Sequence, residues 1–144
     1  MRVVLATDGS RHAERAAQWA VAFATKLGDV DVTLVNVGHI PAAPITGPGV
    51  HGVVEFRVVT ESLERAGAEI LARTAELFKG KAVEIRCLYR TGDPAHEILK
   101  VAEEAHADLI VLSRRGLGRI GGLILGSVSE RVLHGAHCPV VVVQ

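Results

Sequence analysis

The sequence predicts an α/β domain built on an open, five-stranded parallel sheet with helices on both faces. Five short apolar runs, rich in β-branched residues, alternate with segments of helical periodicity along the 144 residues. Three of these runs lack polar alternation, which is typical of strands buried on both faces. Strands and helices that alternate in this way form a parallel sheet with right-handed crossovers. We expect one domain over residues 1–144.

The apolar runs are the predicted strands. In the third run Glu84 and Arg86 alternate with apolar neighbours, so this strand is expected near an edge of the sheet. The five predicted strands are Arg2–Ala6, Val32–Val37, Ala82–Leu88, Leu109–Leu112 and Pro139–Val143.

Four helices are predicted between the strands. Gly28 is expected to cap the end of the first helix, and Gly80 ends the longer second helix. Asp93 and Pro94 begin the third, as N-cap and first-turn residue. A capping box begins the fourth, with Ser127 as the cap and Glu130 reaching back to it. The predicted inner faces are Ala13, Ala16, Ala17, Ala20, Val21 and Ala24; then Val59, Leu63, Ala66, Ile70, Leu71, Thr74, Leu77 and Phe78; then Ile98, Leu99, Ala102 and Ala105.

One irregular segment, Gly38–Gly52, contains three of the five prolines and four glycines. It follows the second strand and therefore lies at the carboxyl edge of the sheet. A loop of this length is compatible both with a lid or contact surface and with a mobile surface excursion.

Composition excludes several classes of function. Basic and acidic residues both number 16 and aromatic residues make up 3%, which argues against a nucleic-acid-coating protein. Cys87 and Cys138 form no CxxC and are predicted to be buried free thiols in a reducing compartment. The N-terminal apolar stretch is too short for a signal peptide, and no run reaches the roughly 18 residues of a membrane span. We expect a cytoplasmic protein with no nucleic-acid or membrane partner.

The ends of the first and fourth strands are expected to meet where open α/β sheets bind ligands. From Leu109 to Ser129 there are three arginines, five glycines and no carboxylate. This segment ends at a helix N-terminus that carries Ser127, where backbone N–H groups and the helix dipole favour an anion. The sequence therefore predicts an anion site, with phosphate as the favoured ligand.

Three more specific nucleotide-binding or catalytic motifs do not fit this segment. Gly116, Gly118 and Gly121 have the spacing of a dinucleotide fingerprint, but the following strand lacks the acidic residue that this motif requires. A P-loop needs lysine where Ser127 stands, and there is no G-x-S-x-G elbow. His134 and His137 lie at a helix end with no third ligand nearby, so we predict no metal site made of protein ligands.

Some of the polar residues have structural alternatives. Asp8 could cap the helix that begins near Ser10, because aspartate is a common N-cap. Arg114 and Arg119 are expected to be solvated, whereas Arg115 adjoins Gly116 in the predicted anion loop.

Over essentially all 144 residues the chain resembles a single-domain universal stress protein. The ATP-binding branch of that family has a motif of glycine, two residues, glycine, nine residues, then glycine followed by serine or threonine. Gly116 and Gly126-Ser127 match its last two parts, and Ser113 stands where the first glycine is expected. The other matching segments are residues 7–10, 92–94, 107–112, 126–133 and 138–143.

The resemblance implies a Rossmann-like, adenine-nucleotide-alpha-hydrolase-like fold with strand order 3-2-1-4-5 and an ATP site at the carboxyl edge. It implies that Asp8 hydrogen-bonds the ribose or lies beside the adenosine, that Val37 offers backbone groups to adenine, and that Mg²⁺ or Mn²⁺ is held mainly through the phosphates. The implied binding residues are Thr7, Asp8, Val37, Leu112, Ser113, Arg115, Gly116, Gly126, Ser127, Val128 and Ser129.

The effect of Ser113 depends on the backbone at that position. A left-handed conformation would cost serine about 1–2 kcal/mol relative to glycine. In an extended conformation serine would be harmless and could supply a hydroxyl group to the ribose.

The implied strand order places Pro139–Val143 at an edge with four consecutive valines. Pairing with the same strand of a second subunit would cover that edge, and the resemblance also implies this homodimer.

The function expected from the resemblance is that of an ATP-binding, nucleotide-dependent switch or sensor in stress response. One alternative is a dimeric interaction protein of the same fold that binds no nucleotide. Another is a slow ATP-hydrolysing or adenylyl-transferring enzyme. No general base is placed in the anion loop by sequence, so we predict no catalytic residue, and any hydrolysis would be slow.

Overall fold

The computed structural model describes residues 1–39, 50–116 and 125–144. Strands and helices alternate along the chain as predicted. The elements are β1 (Arg2–Ala6), α1 (Arg11–Leu27), β2 (Asp31–Gly38), α2 (Val50–Glu76), β3 (Glu84–Thr91), α3 (Pro94–Glu104), β4 (Leu109–Ser113), α4 (Ser127–Gly135) and β5 (Val140–Val143).

The five strands form one parallel sheet in the order β3-β2-β1-β4-β5, which confirms the implied order. β3 lies at one edge, as its alternating pattern predicts, and β5 lies at the other. Val3 is paired with Val32 of β2 on one side and with Leu109 of β4 on the other. Because the chain leaves β1 in one direction and later returns to its other side, the carboxyl ends of β1 and β4 flank the switch point where such sheets bind ligands.

Both faces of the sheet are buried, each by a pair of helices. Val3 and Leu5 of β1 pack into the core beneath α1 and α2. Val4 and Ala6 point to the opposite face and pack into the core beneath α3 and α4. Side chains alternate between the faces of a strand, so a wholly apolar β1 serves both cores.

Two helices are capped as predicted. Gly28 ends α1 at φ 67°, and its N–H donates to the Ala24 carbonyl at 3.0 Å. Asp93 caps α3, with Oδ1 accepting from the His96 N–H at 2.9 Å and Pro94 in the first turn.

The predicted capping box of α4 is wrong. The N-cap is Gly126, which is extended at φ −74° and ψ 151° and makes no side-chain cap hydrogen bond. The Gly126 carbonyl instead accepts from the Glu130 N–H at 2.9 Å. Ser127 is therefore the first helical residue, and its hydroxyl group does not cap the helix.

The inner face of α2 also differs from the prediction. Leu71 and Thr74 are buried as expected, as is Phe78 in the turn that follows the helix, but Val59 is 46% exposed. The buried face continues through Gly67, because the ring of Tyr89 on β3 occupies the space where a Cβ of Gly67 would lie.

Tyr89 also packs against Gly38 at the end of β2, where a Cβ would collide with the phenol group. The Tyr89 hydroxyl is inaccessible to solvent and has no hydrogen-bond partner within the described residues. The ring therefore joins β2, β3 and α2 through two positions that lack a side chain.

The two cysteines are free, as predicted, but they are not buried. Cys87 is exposed on the edge strand β3, and Cys138 is half-exposed. Most of the predicted irregular loop, residues 40–49, lies outside the described residues, and α2 already begins at Val50. Within the described ranges, every helix is too short or too polar to cross a membrane.

Candidate functional site

A cleft of about 560 Å³ opens at the carboxyl edge of the sheet. It lies where β1, β2 and β4 end and where α3 and α4 begin, and its volume is within the range of small-molecule sites. All eleven predicted binding residues line it: Thr7, Asp8, Val37, Leu112, Ser113, Arg115, Gly116, Gly126, Ser127, Val128 and Ser129.

The end of β1 is held rigidly at the base of the cleft. The Thr7 N–H donates to the Val35 carbonyl at 2.9 Å, and Asn36 Nδ2 donates to the Thr7 carbonyl at 2.7 Å. Asp8 Oδ1 accepts from the Ser10 N–H at 3.0 Å. Ser10, rather than Asp8, is the N-cap of α1, so the capping alternative for Asp8 is wrong.

Gly116 lies directly against the Asp8 carboxylate. A Cβ at Gly116 would overlap Asp8 Oδ2, so a larger residue would displace the carboxylate from its position in the cleft. Gly126 makes a similar close approach, because a Cβ there would lie 3.1 Å from the Arg114 carbonyl oxygen. The Gly126 N–H donates to that oxygen at 2.8 Å, which joins the two described ends of the loop.

Ser113 is the last residue of β4 and has no positive φ. Its conformation is therefore the extended one that serine tolerates. Its hydroxyl group donates to the Arg115 carbonyl at 2.6 Å, which orders the turn that follows β4. Ser129 Oγ donates to the Ser113 carbonyl at 2.8 Å, and this buried bond ties α4 to the end of β4.

The N-terminus of α4 faces the cleft with Ser127 and Val128 in its first turn. The first N–H groups of a helix have no partner within the helix and attract anions. Arg115 lines the same cleft, which adds a guanidinium group to this surface. The predicted loop glycines at 118, 121 and 122, together with Arg119, lie outside the described residues.

The structure adds cleft residues that sequence reasoning did not select. Asp93 and Pro94 follow β3, so they could have been found by including every strand end at the carboxyl edge. Arg131 lies one helical turn after Ser127 and so shares its face of α4. The further lining residues are Ala6, Val35, His39, Asp93, Pro94, Ile98, Leu125 and Arg131.

Asp93 and Arg131 form a bidentate ion pair at this cleft, with N···O distances of 2.7 and 2.8 Å. The hydrogen bond from Arg131, followed by that from the His96 N–H, lowers the pKa of Asp93. Asp93 is therefore ionised at neutral pH.

The histidines of α4 and the following turn make local contacts. His134 Nδ1 lies 2.8 Å from the Glu130 carbonyl, and His137 Nε2 lies 3.0 Å from Glu103 Oε1. In the part of the chain that the structure describes, no three His, Cys, Asp or Glu side chains form a metal-binding group.

Comparison with known proteins identifies the family of the chain. The model of the universal stress protein family matches residues 1–144. Universal stress protein MJ0531 of Methanocaldococcus jannaschii is 34% identical over 143 residues, which cover 99% of this chain and 81% of that protein. The structure of universal stress protein UspA from Lactobacillus plantarum, at 22% identity, matches with a TM-score of 0.84 over 100% of this chain and 97% of its own, which supports the fold. A universal stress protein crystallised in complex with cAMP matches at 26% identity and a TM-score of 0.71, over 100% of this chain and 96% of its own. The chain belongs to the universal stress protein family.

Proposed function

We propose that the protein binds ATP in this cleft and acts as a nucleotide-dependent switch or sensor in stress response. The observation that carries the proposal is the packing of Gly116 against the Asp8 carboxylate, in a cleft that the N-terminus of α4 also lines. This arrangement combines an acceptor for ribose hydroxyl groups with a helix end suited to phosphate. The cAMP complex of a family member supports an adenine nucleotide as the ligand.

In this proposal the predicted binding residues have different roles according to their position. Asp8 and Thr7 contact the nucleoside, and the backbone of Val37 contacts the adenine. Arg115 and the first turn of α4 contact the phosphates. The described residues contain no three-ligand metal group, so Mg²⁺ or Mn²⁺ would be held mainly through phosphate oxygens.

Calorimetric titration of nucleotide-stripped protein with ATP and Mg²⁺ tests the proposal. We expect a dissociation constant in the micromolar range, and weaker binding of UTP if the site prefers adenine, as the cAMP complex of a family member suggests. If neither nucleotide binds at millimolar concentration, by calorimetry and by a second binding assay, the proposal is wrong and the alternative of an interaction protein that binds no nucleotide is favoured.

We further propose that the protein is a homodimer paired through β5. β5 is an edge strand whose four valines are all half-exposed, and such an edge needs cover. Two free cysteines support a reducing, cytoplasmic compartment.

A further inference from the structure

The Asp93–Arg131 pair joins the beginnings of α3 and α4 at the cleft. Asp93 caps α3, Arg131 lies in the second turn of α4, and both side chains line the cleft. They are about half-exposed, at 42% and 57%, so water and ligands have access to both partners.

Arg131 is placed beside the part of the cleft that suits phosphate. It follows Ser127 by four residues, and residues four apart on a helix lie on the same face. A guanidinium group bound to a carboxylate through two N–H groups presents the same planar donor pattern that phosphate accepts. Phosphate is therefore a chemically suitable alternative partner for Arg131.

Because the cleft contains few charged groups, the partner that Arg131 binds changes the attraction of the cleft for an anion. Its described lining contains two carboxylates, Asp8 and Asp93, and two guanidinium groups, Arg115 and Arg131. While Arg131 remains bound to Asp93, the pair adds no net attraction for an anion. Exposed ion pairs contribute little to stability, whereas a polyphosphate concentrates several negative charges in one place.

We propose that Arg131 determines the preference of this cleft for polyphosphate over unphosphorylated ligands, and that Asp93 sets that preference by competing for Arg131. The proposal rests on nucleotide binding in the cleft. When ATP enters, the guanidinium group of Arg131 moves from Asp93 to the phosphate chain. Adenosine leaves the ion pair closed. Asp93 thus limits the affinity for ATP without affecting recognition of the nucleoside.

Affinities for ATP and adenosine in four proteins test this assignment. The proteins are the unmodified chain, Asp93→Asn, Arg131→Gln and the double variant, all at the same salt and Mg²⁺ concentration. Asparagine caps helices as well as aspartate does, so Asp93→Asn keeps the start of α3 intact. Arg2→Gln is the matched control. It removes a 50%-exposed guanidinium group from the Arg2–Asp108 pair, which lies at the start of β1 and therefore at the end of the sheet away from the cleft.

We expect Arg131→Gln to weaken ATP binding about tenfold, roughly the contribution of one charge-assisted hydrogen bond. Asp93→Asn should strengthen it by about the same factor. Neither variant should change adenosine binding more than about twofold, and Arg2→Gln should change neither ligand. In the Arg131→Gln background, Asp93→Asn should lose most of its gain, because the two residues act through one contact.

Each contrary result has a distinct meaning. An equal gain from Asp93→Asn in both backgrounds would show simple repulsion of phosphate and overturn the exchange. If Arg131→Gln lowers the affinities for ATP and for adenosine equally, the ion pair only maintains the shape of the cleft. That result also overturns the proposed exchange. If the unmodified protein binds neither ligand, the proposed function fails and this assignment fails with it.

Discussion

Gly116 shows how one missing side chain can define a binding site. Its backbone lies against Asp8 Oδ2, so an added methyl group must displace the carboxylate. We expect Gly116→Ala to weaken ATP binding at least about tenfold, the equivalent of about 1.4 kcal/mol. Calorimetric titration measures the effect.

Gly135→Ala is a suitable control for that substitution. Gly135 ends α4 outside the cleft, and a Cβ there would meet only the flexible end of Leu99. It should leave ATP affinity unchanged. Equal affinities in the Gly116 and Gly135 variants would remove the main support for the proposed site.

Ser113 stands where the motif implied by the family resemblance has its first glycine, yet its backbone is extended and its hydroxyl group donates to the Arg115 carbonyl. We expect Ser113→Gly to lower the free energy of unfolding by about 1–2 kcal/mol, through the lost hydrogen bond and the flexibility of glycine. Urea denaturation measures this loss. A marked gain in ATP affinity in the same variant would contradict the view that serine is tolerated there.

The ion pair of Asp93 has a defined pH dependence. Arg131 lowers the pKa of this carboxyl group below its ordinary value of 3.8. A lowered folded-state pKa means that ionised Asp93 stabilises the fold above about pH 4, and that this contribution is lost as the pH falls through the folded-state value. NMR titration should give a midpoint below 3.8 that rises in Arg131→Gln. An unchanged midpoint would show that the pair is not formed in solution.

At the scale of single elements, β5 supports the most direct test of assembly. The carbonyls of Pro139 and Val143 accept hydrogen bonds from N–H groups on the β4 side. Successive residues of a strand direct their N–H and C=O groups alternately to one neighbouring strand and to the other. Val142 adjoins Val143, which faces β4, so the N–H of Val142 points away from β4 and towards the open edge of the sheet. Val142→Pro removes that donor and should weaken the proposed dimer at least about tenfold, as measured by analytical ultracentrifugation.

Val142→Ala is the control for this experiment, because it shortens the side chain and keeps the N–H. It should remain dimeric at concentrations where the proline variant is monomeric. Identical behaviour of the two variants would place the interface elsewhere.

The helix ends show what local sequence predicts and what it leaves open. Gly28 and Asp93 act as caps as predicted, because a left-handed glycine and an N-cap carboxylate act within a few residues of chain. Ser127 was wrongly predicted as a cap. An extended glycine can supply the cap carbonyl equally well, and the capping-box pattern alone does not distinguish the two registers.

For the whole molecule, binding of ATP should increase the free energy of unfolding. A ligand that binds only the folded state at one hundred times its dissociation constant adds about 2.7 kcal/mol to the free energy of unfolding. For a domain of this size, that corresponds to a rise in Tm of roughly 5–10 °C. Thermal unfolding with and without ATP measures it, and an unchanged Tm at that concentration would argue against binding to the folded state.

The strand order and the location of the cleft could be anticipated because they follow from chain-wide patterns and from the family resemblance. The Asp93–Arg131 pair could not, because its partners are separated by 38 residues and meet only when α3 and α4 begin side by side. Likewise, the buried face of α2 depends on where the Tyr89 ring of β3 packs against it. The apolar periodicity of the helix contains no information about that contact.

The packing of Tyr89 between Gly38 and Gly67 has an evolutionary consequence. Alanine at either glycine would collide with the ring, so each substitution is harmful while tyrosine is present. After a change to a small residue at position 89, the same alanines would help to fill the space that the ring had left. We therefore expect the effects of substitutions at the three positions to depend on one another: alanine at position 38 or 67 should be better tolerated after Tyr89 has been replaced by a small residue.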